Sequence, residues 1–140
     1  MRNLSLIQNE ISAINSCLQK NPNIIALYIF GSYGTAYYNK FSDIDFAVLY
    51  DKIPTLDEEL ALEIYISDIL KRDDVDVVNL NKAPINLKHN VIYTGDLLYC
   101  KDDIKLADFK EYVFNVYGDY GITLKYFYDD YIKGLSKNAL

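Results

Sequence analysis

Ile24-Ile25-Ala26-Leu27-Tyr28-Ile29-Phe30-Gly31-Ser32 is followed, after ten residues, by Asp43-Ile44-Asp45-Phe46-Ala47-Val48. Two acidic side chains one residue apart, at the mouth of an apolar segment, are hard to explain as packing. On a strand, the period of two turns both carboxylates to the same face. There they repel each other unless a cation lies between them. Gly31 lets the backbone come close to a ligand, and a helix beginning just beyond it would aim free N–H groups at a phosphate. Ser32 would add a hydroxyl to that cradle. Each feature also has a plain structural reading. Ser32 serves as an N-cap, Asp43 as a strand-start residue, and Asp45 as the solvent side of an edge strand. Together they point to phosphoryl or nucleotidyl transfer with a divalent-metal clamp.

Two carboxylates do not complete a two-metal site, because a pair of octahedral magnesium ions needs further ligands to bridge and fix them. A third acid is therefore expected. Asp76, within Val75-Asp76-Val77-Val78, is the leading candidate, since an acid among valines reads as one exposed spot on an otherwise buried strand. Asp74 shares its face and competes, although it lies nearer the turn, where it reads as a capping group.

Outward from this centre, Leu4, Ile7, Ile11, Ile14 and Leu18 are spaced as on one helical face, predicting a helix from Leu4 to Lys20 that Asn21-Pro22-Asn23 stops. Ile24 to Phe30 is nearly all apolar, which predicts a central strand covered on both faces. Gly31 to Tyr38 reads as a turn feeding a short helix, and Ile44 to Tyr50 as the next strand. After Pro54, Leu56 to Leu70 reads as a helix presenting Leu60 and Ile64 on one side. Val75 to Leu80 is a third strand. Pro84 to Thr94 is a helix with proline in its first turn, and Leu97 to Cys100 is a short strand. Ile104 to Leu135 is one helix or two, interrupted near Gly118 and Gly121. No repeat or flexible linker is visible, so residues 1–140 are expected to form a single α/β (α+β) domain with a small mixed sheet flanked by helices.

The chain has 140 residues, enough for a real core, with 51% hydrophobic and 24% charged residues. Fourteen tyrosines stand beside no tryptophan. A net charge of −6 and a pI near 4.6 argue against the broad basic surface of a nucleic-acid binder. They leave a nucleotide substrate open, because bound metal reverses the local sign. Cys17 and Cys100 lack CxxC spacing and read as buried thiols. His89 reads as a surface or half-buried helix residue. Residues 1–10 lack a signal-peptide pattern, and no apolar run is long enough to cross a bilayer, so a cytoplasmic location without membrane attachment is expected.

Gly31-Ser32, the ten-residue spacing, Asp43-Ile44-Asp45 and a single acid on a later strand resemble the signature of the DNA-polymerase-beta-like nucleotidyltransferases. At this length the chain is similar to the minimal nucleotidyltransferases, and most of all to MntA-type antitoxins, which are encoded beside HEPN-family RNase toxins. The resemblance implies that Gly31 and Ser32 hold the triphosphate of ATP. It makes Asp43, Asp45 and Asp76 the catalytic acids and the ligands of two Mg2+ ions. It implies transfer of AMP to a tyrosine of the cognate toxin, silencing it, within a hetero-oligomer of the two proteins and without direct nucleic-acid binding. The alternatives are an antitoxin that acts by binding alone and an adenylyltransferase for a small-molecule acceptor.

Two positions depart from the pattern. Thr35 stands where relatives commonly carry arginine, and Ala36 where they carry glycine, which is more permissive if a positive φ is needed. Lys40 would supply the missing charge, or is simply a solvent lysine. Asn79, where relatives often carry another acid, reads as structural. Tyr37 and Tyr38 either stack on a base or cover the sheet edge. Phe109, Val113, Val116 and Tyr120 fall at helical spacing for the core. The tyrosine-rich stretch from Tyr126 to Tyr131 would suit a partner surface.

Overall fold

The computed structural model describes residues 2–39 and 42–119. After a 3-10 turn at Ser5–Ile7 come α1 (Gln8–Leu18), β1 (Ile24–Phe30), β2 (Ile44–Tyr50), α2 (Leu56–Leu70), β3 (Val75–Asn79), α3 (Ile85–Thr94) and β4 (Asp96–Cys100). Residues 103–119 are helical and are called α4 here. The four strands form one mixed sheet in the order β3-β2-β1-β4. β1 runs antiparallel to β2 and β4, and β2 runs parallel to β3.

Every residue of β1 is buried, as its unbroken apolar run demands of a strand with neighbours on both edges and cover on both faces. One face packs Ile24, Leu27, Ile29, Ile44, Phe46 and Val48 against Ile11, Ile14 and Leu18 of α1 and Leu62, Ile66 and Leu70 of α2. The other packs Tyr28, Phe30, Ala47 and Leu49 against Leu80, Val91 of α3 and Leu106 of α4. Strict alternation would send Ile25 and Ala26 to opposite faces, yet both join the second cluster. The register shift between Ile24 and Ala26 accounts for this. Asp45 lies between Ile44 and Phe46 of the first cluster, so the pleat turns it to the α3 and α4 side.

Several expectations need correction. The first helix is shorter than Leu4 to Lys20, because the chain changes from a 3-10 turn to α-helix at Ile7, whose φ of −120° is not helical. No helix follows Gly31-Ser32. Residues 31–37 are bends and turns, and Gly31 and Gly34 at φ +78° and +76° cannot join a right-handed helix. α2 has the predicted bounds but buries Leu62, Ile66 and Leu70, leaving Leu60 46% and Ile64 60% exposed. Both sets have four-residue spacing, and only packing chooses between them. β3 is an edge strand in which Val75 is buried, Asp76 exposed and the next three residues half-buried, rather than one buried throughout. Cys17 and Cys100 are half-buried free thiols. Val113 is fully buried on α4 and Phe109 packs beside Leu106, whereas Tyr120 and the stretch from Tyr126 to Tyr131 lie outside the described residues. His89 is half-buried, stacked on Tyr117 with ring centroids 3.7 Å apart, and so joins α3 to α4.

Candidate active site

The end of β1 and the starts of β2 and β3 meet at one end of the sheet. There Asp45 is in register with Phe30 on one side and with Asp76 on the other. Asp43, two residues before Asp45, precedes β2 and is exposed, as is Asp76, while Asp45 is half-buried. Burial pushes the Asp45 carboxyl above the usual carboxylate range, and the negative charges of Asp76 and Asp43 push it further. The structure thus brings the three predicted acids into one electrostatic cluster. Among the described residues, no lysine or arginine forms an ion pair with any of them.

Asp74, the competing candidate, is engaged elsewhere. Its carboxylate accepts from Nε of Arg72 at 2.7 Å and from Nη2 of the same guanidinium, which holds it below the usual range. Arg72 also donates to the Tyr38 hydroxyl at 2.8 Å and lies 5.9 Å from the centre of the Tyr33 ring. Tyr33 and Tyr38 meet edge to face at 5.0 Å. The tyrosine pair of the loop therefore divides, with Tyr38 packed inward and Tyr37 86% exposed. Asn79 donates to Glu59 of α2 and accepts from the Asn81 N–H, a structural role.

Gly31 lies directly over Asp45. A Cβ at Gly31 would come within 2.5 Å of Asp45 Oδ2, and its φ of +78° is a conformation that side chains disfavour. The loop after it folds on Ser32, whose carbonyl accepts from the Thr35 N–H at 3.0 Å and the Thr35 hydroxyl at 2.6 Å. Among the described residues, no hydrogen bond is donated by the N–H of Ser32, Tyr33 or Gly34. Successive N–H groups left unpaired in a glycine turn form an anion-binding concavity. The helix end expected after Gly31 is here a turn. Thr35, in place of an arginine, is a turn-forming residue. Ala36 carries no strain, because Lys71 is the non-glycine residue with positive φ among those described. Lys40 lies outside the described residues.

Magnesium suits the donor chemistry, since three hard carboxylates crowd one another with no protein cation between them. Among the described residues, no three acids, cysteines or histidines are placed together so as to hold a metal ion by themselves.

Arg72 and Arg2, which reaches the loop from the start of the chain, were not foreseen. The Arg72-x-Asp74 spacing permits a local ion pair, but nothing in it points to Tyr38. Arg2 has no local signal at all.

The sequence profile described as polymerase beta, nucleotidyltransferase matches residues 12–104. The chain is a member of that nucleotidyltransferase family. Its fold is similar to that of an antitoxin from a toxin–antitoxin pair solved with AMP-PNP, at 25% identity and a TM-score of 0.70, covering 89% of this chain and 97% of that one. It is also similar to an MNT antitoxin in complex with the tri-AMPylated HEPN toxin of Shewanella oneidensis, at 25% identity and a TM-score of 0.68, covering 89% and 98%. An MntA-HepT complex gives the same identity and the same TM-score of 0.68. Comparison with curated proteins gave no match. Among the described residues of this nucleotidyltransferase, no helix is long and apolar enough to cross a membrane.

Proposed function

We propose that this nucleotidyltransferase is an antitoxin that moves AMP from ATP to a tyrosine hydroxyl of a cognate HEPN-family RNase toxin and thereby silences it. The observation that carries the reading is Asp45 beneath Gly31, with Asp76 in register beside it and the charges of Asp43 and Asp76 both acting on it. The likeness to an MNT antitoxin beside its AMPylated toxin supports the choice of acceptor.

The N–H groups of Ser32, Tyr33 and Gly34, with the Ser32 hydroxyl, receive the triphosphate. Asp43, Asp45 and Asp76 would hold Mg2+, which when bound neutralises phosphate charge and acidifies the acceptor hydroxyl. Asp76, exposed on the edge strand, would orient the acceptor hydroxyl. The acceptor oxygen attacks the α-phosphorus in line, the bond to the bridging oxygen breaks, and pyrophosphate leaves. No histidine is needed, and His89 is engaged with aromatic rings on α3 and α4.

The test is intact-mass spectrometry of the HEPN-type partner after incubation with this protein, ATP and magnesium. An added mass of one AMP or a multiple, absent with an Asp43→Ala/Asp45→Ala variant, is the expected result. A stable complex without added mass would overturn transfer and leave an antitoxin that acts by binding.

A further inference from the structure

The loop that carries Gly31 and Ser32 does not hold its shape alone. Arg2 reaches it from the start of the chain, and its side chain is only 5% exposed. Nη1 donates to the carbonyls of Gly31 at 3.0 Å and Tyr33 at 2.6 Å, while Nε donates to Asp96 Oδ2 at 2.7 Å. Asp96 opens β4 in register with Ile29, so it ties the guanidinium to the sheet. The next residue continues the contact, with the Asn3 N–H donating to the Gly34 carbonyl at 2.8 Å. Gly34 fits beneath this strap because it lacks a side chain. A Cβ there would lie 2.5 Å from the Asn3 carbonyl oxygen.

We infer that Arg2 is a positioning residue for nucleotide binding, which sets the Gly31–Gly34 turn in its anion-receiving form before ATP arrives. The guanidinium satisfies the Gly31 and Tyr33 carbonyls, while the N–H groups of Ser32, Tyr33 and Gly34 stay unpaired for phosphate. It also places a fixed positive charge beside a loop in which Thr35 stands at the position where an arginine is commonly found. A planar fork with several donors can bridge two carbonyls and a carboxylate at once, which a lysine ammonium on a flexible stem does poorly. A turn held in its binding form costs less to order when ligand binds.

This inference rests on the proposed nucleotide site, and its test separates the two. Titration calorimetry with AMP-PNP and magnesium would compare the wild type, Arg2→Ala and Arg2→Lys, with amide exchange of residues 31–35 measured in the absence of nucleotide. Arg2→Ala should bind on the order of tenfold more weakly, the scale of a charge-assisted hydrogen bond shifted to the binding step. In transfer assays KM for ATP should rise while kcat changes little, and the loop amides should exchange faster. Arg2→Lys keeps the charge and stem and guards against a folding defect; it should recover only part of the loss. Affinity and loop exchange equal to wild type in both variants would overturn the role of Arg2. Failure of the wild type itself to bind AMP-PNP would overturn the nucleotide site, and the inference with it.

Discussion

Asp45 is the residue on which the site turns, because it is the acid that the fold half-buries and crowds. Its carboxyl is raised by burial first and then by Asp76 and Asp43. The sign is opposite to that of a paired aspartate. Above the folded pKa the charged form opposes folding in full, and the opposition disappears as pH falls below the unfolded value near 3.9. Asp45→Asn should therefore melt higher than wild type at neutral pH and lose that advantage in acid, seen by thermal melts across the range. The same variant should transfer AMP roughly a hundredfold more slowly or worse, the scale of losing an electrostatic stabiliser of the reaction. Gly31→Ala tests the cradle. Its φ of +78° imposes about 1–2 kcal/mol on a side chain, and the new Cβ would displace the Asp45 carboxylate. Denaturant melts should show that loss, and nucleotide binding should weaken with it.

At the scale of elements, α2 shows how separate local signals agree. Thr55 caps it, accepting from the Glu58 N–H at 3.1 Å, and Asp57, Glu58 and Glu59 occupy its first turn, where the helix dipole favours them. Lys71, in the left-handed conformation, ends it. Thr55→Ala should cost about 1 kcal/mol, a fall in Tm of about 3–6 °C for a domain of this size. Catalysis should survive, because the cap lies away from the acids. The bounds of α2 were legible because capping and breaking are local. Its buried side was not, since Leu60 and Ile64 repeat with the same spacing as Leu62, Ile66 and Leu70. The turn after Gly31 was misread for a related reason. Glycine permits both a helix entry and a positive-φ turn, and its long-range neighbours at Arg2 and Asn3 favour the turn.

For the whole molecule, the sheet order sets the chemistry. Parallel pairing of β2 with β3 brings Asp76 alongside Asp45, and antiparallel pairing of β1 with β2 places Gly31 over Asp45. Nothing among the described side chains neutralises the acids, so magnesium and nucleotide should stabilise the fold together. At a hundredfold excess over Kd the gain should be about 2.7 kcal/mol, read as a rise in Tm. The Asp43→Ala/Asp45→Ala variant should show no such rise. An equal rise in that variant would place nucleotide binding elsewhere.

By itself the sequence determined the strands, the α2 helix, and the pairing of a glycine turn with an Asp-x-Asp strand start. Those are statements about period and spacing, which neighbouring residues carry in full. Tertiary structure alone decided that Asp76 rather than Asp74 stands in register with Asp45, and which face of α2 is buried. It also brought Arg2 to Gly31 and Asp96, partners 29 and 94 residues away. Such contacts leave no local trace, because chain separation is closed only when the sheet and both helical layers are assembled.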